Sequence, residues 1–360
     1  MKALTGIRFL AAIYVVIYHT KMGPTLLEHG HAAAGHFFMS GYLAVAMFFL
    51  LSGFILSYTY AGQIDEPGDY RRFWEARFAR IWPVYVVSLL LTSLAQFAFP
   101  KLSYILPTLL MLQAWNPFDR RMWGAWNYVC WTLSVEAFFY LCFPFYQRWL
   151  ERLDSQKQLA SMVVMLGLGV AINSAVNVLG YSSHGILHMV PLPLMRLPEF
   201  LAGVGLGNYF LRKTSPAAVV STSGLWTYVP MIVTIALLCR AWNQWTSLVL
   251  ITFALLIFGL ASEKTLLAQV LSSKVMLFGG AISYSIYLLQ APVKDMVRIF
   301  VDHLHIASVG FRAGFLFALL LLLSAISFKT IEEPARRQLR SMFASLEERR
   351  VVEKERQIAA

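Results

Sequence analysis

The chain has 360 residues, 58% of them hydrophobic and 14% charged, with a mean hydropathy of +0.60. That balance excludes a soluble globular domain, in which about 25% of residues are charged. The formal charge of +11 would suit nucleic acid, but the basic residues fall in short loops on alternate sides of apolar segments. The pattern predicts anionic headgroups and phosphate-bearing ligands as partners, in a lipid bilayer and without nucleic acid.

A helix that spans hydrocarbon needs about 20 mostly apolar residues. Such windows recur near 4–22, 37–60, 81–99, 126–147, 159–180, 189–211, 225–240, 245–262, 277–300 and 308–330. The expected fold is an all-α polytopic membrane protein of about ten transmembrane helices. An eleventh apolar stretch, 103–115, is short and contains Pro107, so it reads as an interfacial or re-entrant segment. The first window precedes Ala32-Ala33-Ala34 like a signal peptide, but Arg8 and His19 interrupt it, and it reads as a retained helix.

Ten spans bring both termini to one side. On that topology 21 lysines and arginines lie on the side of the termini and eight on the other, with Arg196 inside the membrane. The bias makes both termini cytoplasmic and predicts a multi-pass protein of the bacterial inner membrane. Residues 1–340 form one expected membrane domain, followed by a charged cytoplasmic tail over 341–360 that is too short for its own core. Cys130, Cys142 and Cys239 all fall in apolar segments, without zinc or redox spacing, and are assigned to packing.

Ionisable residues inside a bilayer are functional candidates. His19 lies within the first apolar segment, eleven residues after Arg8, a helical rise of about 16 Å that is expected to place it beyond mid-membrane. It is a candidate general base; a histidine bonded between helices is the structural alternative. His29, His31, His36, His184, His188, His303 and His305 map to outer loops or span edges with no metal-ligand spacing, so no metal is expected. Arg77 and Arg80 share a helix face at the cytoplasmic mouth and suit phosphate oxygens, although membrane anchoring also accounts for them.

Ser52-Gly53 is a small pair suited to close helix approach or to ligand space. Glu136, read as ten residues into a span starting at Trp126, is expected at the depth of His19. A carboxylate there would orient the imidazole and stabilise its cation. Arg196 and Glu199 stand three apart and either neutralise each other or line an acceptor path. Trp115, Trp123 and Trp126 in the outer loops suit sugar stacking or, better, an interfacial aromatic belt.

In this order the motifs resemble the acyltransferase 3 family of bacterial integral-membrane acyltransferases. They are Arg8-x10-His19, Phe48-Phe49-x-x-Ser52-Gly53 and Arg77-x-x-Arg80-Ile81-x-Pro83. After these come Trp131-x-Leu133-Ser134-Val135-Glu136, Glu199-Phe200-Leu201-Ala202-Gly203, Ser283-Tyr284-Ser285-Ile286-Tyr287-Leu288 and Glu332-Glu333-Pro334. The resemblance covers Leu4 to about Arg337 and implies a stand-alone form, without the esterase-like domain fused to some members.

The resemblance implies transfer of an acyl group, commonly acetyl, from cytosolic acyl-CoA to a hydroxyl of an extracytoplasmic or lipid-linked glycan. Acyl-CoA is then a co-substrate, with no permanently bound cofactor. His19 matches the family's essential histidine and Arg8 its paired basic residue, while Arg77 and Arg80 match the arginines that meet the donor. Glu136 matches the glutamate of its motif. His19 acts either as general base assisted by Glu136 or as a nucleophile through an acyl-histidine. Ser134, Trp131 and Tyr284 are candidate oxyanion donors, and Ser52, Arg196 and Glu199 supporting residues. A proton-coupled transporter or lipid-linked glycan flippase is the alternative that an intramembrane His–Glu pair leaves open.

Overall fold

The computed structural model describes residues 1–179, 189–213, 223–241, 244–306 and 308–359. His184 and His188 lie outside the described residues. Among those described the chain is helical, with no strand. It begins with α1 (Lys2–His19), α2 (Met22–Glu28), α3 (Ala32–Met39), α4 (Ala44–Tyr60), α5 (Pro67–Gln96), α6 (Leu102–Leu109), α7 (Trp131–Glu151) and α8 (Ser155–Leu179). It continues with α9 (Leu192–Lys213), α10 (Leu225–Leu238), α11 (Val249–Ser262), α12 (Leu266–Leu271), α13 (Lys274–His303), α14 (Val309–Ser327) and α15 (Glu333–Ala359).

Each expected span is occupied by a helix. Seven apolar helical stretches, which begin at Lys2, Ala32, Pro67, Ser155, Trp245, Lys274 and Gly310, are long and apolar enough to cross a membrane. α7, α9 and α10 supply the other three: α10 has 14 residues, and polar or ionisable side chains such as Glu136, Arg196 and Glu199 interrupt α7 and α9. The chain is a multi-pass membrane protein.

Two boundaries differ from the sequence expectation. α5 starts fourteen residues before Ile81, at Pro67, because Glu66 and Asp69 form a reciprocal capping box with a proline in the first turn. The basic stretch from Arg71 to Arg80 is therefore helical and continuous with the span. In contrast, residues 126–130 form bends and turns, so α7 starts at Trp131.

The segment 103–115 re-enters the protein. α6 exposes Leu102 and Leu106, then the chain turns inward, where Gln113 and Ala114 are buried. Two of its polar groups are bonded inside: Gln113 Nε2 donates to the Cys130 carbonyl at 2.8 Å, and the Ala114 amide donates to Ser134 Oγ at 3.2 Å. Irregular backbone at membrane depth survives when protein groups bond it in this way.

Small residues draw the helices together. α4 packs on α9, and α1 on α13. A Cβ on Gly53 would lie 2.2 Å from the Phe200 carbonyl oxygen, and one on Gly203 2.0 Å from that of Leu50. The α4–α9 backbones are thus in contact at the small pair that the sequence singled out. α14 passes through a π-helical turn, Phe328–Glu332, into α15. α15 then packs along α5 at the end of the bundle that holds the N-terminus.

Candidate active site

At the terminal end, α1, α4, α5, α7, α13 and α15 enclose a cavity of about 280 Å³. Five arginines line it: Arg8 from α1, Arg77 and Arg80 from α5, and Arg336 and Arg340 from α15. Spacings of three and four residues put each helix's pair on one face. Arg77 Nη2 donates to Tyr60 Oη at 3.1 Å, and its guanidinium lies over the Tyr60 and Phe73 rings at 5.5 and 5.7 Å. Its Nε is buried and makes no hydrogen bond. Arg80 Nη1 stands 3.6 Å from Oε1 of Glu332, which is 1% exposed and accepts at Oε2 from Ser285 Oγ at 3.1 Å.

Glu136 completes the polar lining and accepts from the Tyr140 hydroxyl. Arginine outnumbers carboxylate here. Guanidiniums gathered this closely repel one another until an anion joins them. Ser52 and Tyr284 also line the cavity; the Tyr284 hydroxyl donates to the Ile81 carbonyl at 2.6 Å and ties α13 to α5. Followed along the helices, the deep end is formed by Val45, Phe48, Thr132 and Tyr287, so the lining grades from charged to apolar and aromatic.

His19 sits at the opposite end, as the last residue of α1. Its Nδ1 lies 2.9 Å from Oε1 of Gln290, and its ring meets Tyr18 edge-on at 5.0 Å and Tyr128 at 4.9 Å. Lys294 Nζ donates to the His19 carbonyl at 2.7 Å, a cation at a helix C-terminus where the dipole favours it. The Tyr128 hydroxyl is buried and makes no hydrogen bond. Tyr287 precedes Gln290 by three residues in α13. The arginine cavity therefore stops about one helical turn, or about 5 Å, short of this cluster.

This geometry corrects the expected His19–Glu136 pair. His19 is the last residue of α1 and meets Tyr128 ahead of α7, whereas Glu136 lies within α7, in the arginine cavity. The side-chain partner of the imidazole is Gln290, beside the Val15 backbone of its own helix. The structure gathers Arg8, Ser52, Arg77, Arg80, Glu136 and Tyr284 in one cavity and leaves five expected residues away from it. His19 is one of these. Ser134 is fully buried and holds the re-entrant segment, and Trp131 packs against the core at the start of α7.

Arg196 pairs with Glu199 at 2.9 Å. Asn173 of α8 bridges them, accepting from Arg196 and donating to Glu199 at 2.8 Å each. The two therefore neutralise each other between α8 and α9. The outer tryptophans turn inward: Trp126 is buried with its indole on Ser93 Oγ at 2.7 Å, Trp123 bonds the Asn116 carbonyl at 3.1 Å, and Trp115 meets Phe138 edge-on. Sequence reasoning missed Arg336, Arg340, Gln290 and Lys294. The first two carried a signal: Glu332, Arg336 and Arg340 repeat every four residues, hence on one helix face.

A family model described as an acyltransferase domain matches residues 1–328. The chain belongs to the acyltransferase 3 family. It is 28% identical over 316 residues to the acyltransferase MdmB of Streptomyces mycarofaciens, covering 80% of this chain and 77% of that protein. It is 23% identical over 368 residues to the putative O-acetyltransferase SAS0844 of Staphylococcus aureus strain MSSA476, covering 94% of this chain but 58% of the staphylococcal protein. A putative acetyltransferase of Acidianus two-tailed virus, ORF330, is 25% identical over 279 residues, covering 73% of this chain and 76% of its own. No solved structure matches this fold. As an acyltransferase 3 protein the chain is a membrane-embedded acyltransferase, and both clusters lie within the span that the family model covers or on the helix that follows it directly.

Proposed function

We propose that the protein is an O-acetyltransferase of the bacterial inner membrane, which takes acetyl from cytosolic acyl-CoA and delivers it to a hydroxyl of an extracytoplasmic or lipid-linked glycan. The observation that carries this reading is the convergence of Arg8, Arg77, Arg80, Arg336 and Arg340 on one cavity. Guanidinium groups suit phosphate oxygens, and the apolar deep end suits the uncharged arm of a CoA thioester. The arginines lie at the end where the positive-inside bias expects cytosol.

In the proposed reaction the phosphates stay on the arginines while the arm extends past Tyr287 towards His19. The acceptor hydroxyl attacks the thioester carbonyl and His19 takes its proton. The C–S bond then breaks, and the proton passes to the sulfur, which leaves as free thiol. Glu136 serves from the cavity, balancing Arg8 and its neighbours, and not as the partner of the imidazole.

The test is turnover by the purified protein in bilayers with acetyl-CoA and lipid-linked glycans, read as free thiol and acetylated product by mass spectrometry. Wild type is expected to form both, His19→Ala neither, and Arg77→Ala product only at raised acetyl-CoA. Equal product from His19→Ala would refute its role as base. Glycan-independent thiol release at the full rate would refute the acceptor class.

A further inference from the structure

Gln290 lies on the inward face of α13 and is 2% exposed. Its amide is used at both ends: Nε2 donates to the Tyr287 carbonyl at 2.7 Å, and Oε1 faces Nδ1 of His19 at 2.9 Å. The first bond sets the orientation of the second. A reversed amide would put its oxygen against the Tyr287 carbonyl, acceptor against acceptor, in a buried site where an unmade hydrogen bond is costly. An amide oxygen carries no proton, so the contact at 2.9 Å needs the proton on Nδ1 of the imidazole.

The ring has little freedom to escape this arrangement. Tyr18 and Tyr128 flank it, and Lys294 holds the backbone carbonyl of the same residue. We propose that Gln290 fixes neutral His19 as the Nδ1–H tautomer, so that Nε2 carries the lone pair and is the atom that takes and returns the proton. Gln290 is a positioning residue: it touches the imidazole and no reacting atom. A neutral amide holds the tautomer as a carboxylate would, but adds no negative charge to stabilise the imidazolium, so the proton passes on to the leaving sulfur more readily. The role in turnover rests on His19 being the base; the tautomer itself does not.

The experiment is ¹⁵N NMR of the full chain in lipid bilayers with labelled histidine, with the His19 signals identified by their loss in His19→Ala. Wild type at a pH where His19 is neutral is expected to show a protonated Nδ1 and a bare Nε2. Gln290→Met is expected to lose that preference and to lower kcat about 10²-fold, the scale of a misplaced general base, with KM for acetyl-CoA within about twofold. Gln290→Glu keeps an acceptor at the same place. It is expected to recover kcat to within about tenfold and to move the acid limb of the pH profile upward, against a surrounding of Tyr18 from α1, Tyr128 ahead of α7 and the Lys294 cation from α13.

A proton on Nε2 in the wild-type spectrum would overturn the proposal without any variant. So would Gln290→Met with an unchanged spectrum and unchanged kcat. Full turnover by His19→Ala beside an Nδ1–H spectrum would refute the catalytic reading and leave the tautomer standing.

Discussion

Arg336 and Arg340 reach the cavity from the same face of α15, but the surroundings of Arg340 differ from those of Arg80. Arg340 is exposed at the mouth, whereas Arg80 faces a glutamate that is 1% exposed. Removing Arg340 should therefore affect the ligand alone. Arg340→Ala is expected to raise KM for acetyl-CoA about tenfold, the lower end of a charge-assisted hydrogen bond, with kcat and thermal midpoint unchanged and the effect shrinking in salt. Arg80→Ala should also strand Glu332 and cost about 1–3 kcal/mol of stability. Thermal unfolding in detergent checks this, and Glu332→Gln in the same chain should return most of the loss. The sequence made Arg8, Arg77 and Arg80 legible because their charge is conspicuous at a span edge. Gln290 was not legible: a glutamine in an apolar helix has no distinguishing periodicity, and only the approach of α1 gives its oxygen a partner.

Helices were readable from hydropathy because a bilayer demands long apolar runs. Their ends were less so, since capping and turns are local chemistry that a hydropathy window averages out. The end of α1 shows the consequence: the helix stops at His19, short of the expected Met22, so His19 lies at the end of its span and not at the depth of Glu136. Close contacts are a property of pairs of elements. Gly203→Leu must separate α4 from α9, because the Leu50 carbonyl occupies the space, and a loss of about 1–3 kcal/mol is expected from overpacking, seen as a lower thermal midpoint. The π-helical turn Phe328–Glu332 sets the rotation of α15. Deleting Thr330 should turn the helix by about 100° per residue lost and carry Arg336 and Arg340 off the cavity. KM should then rise by at least the combined effect of both alanine variants, with the protein still folded.

For the whole molecule, the two clusters occupy opposite ends of one bundle, joined by the length of α1 between Arg8 and His19. The positive-inside bias predicts which end meets which compartment. A single cysteine at Lys2 in sealed, right-side-out vesicles should resist an impermeant thiol reagent, and one at Lys21 should react; the reverse pattern would invert the topology. The natural cysteines Cys130, Cys142 and Cys239 are at least partly buried and should contribute little background.

The distance between the arginines of the cavity and His19 has an electrical consequence. Moving one elementary charge across a membrane costs or yields about 2.3 kcal/mol per 100 mV. On the proposed reaction, however, the phosphates stay anchored at one end, the acetyl group leaves uncharged, and the hydroxyl's proton returns on a neutral thiol. The two crossings cancel and no net charge moves. Turnover in vesicles should therefore be indifferent to an imposed potassium diffusion potential of either sign, so a cell could decorate its exterior at the same rate whether its membrane is energised or not.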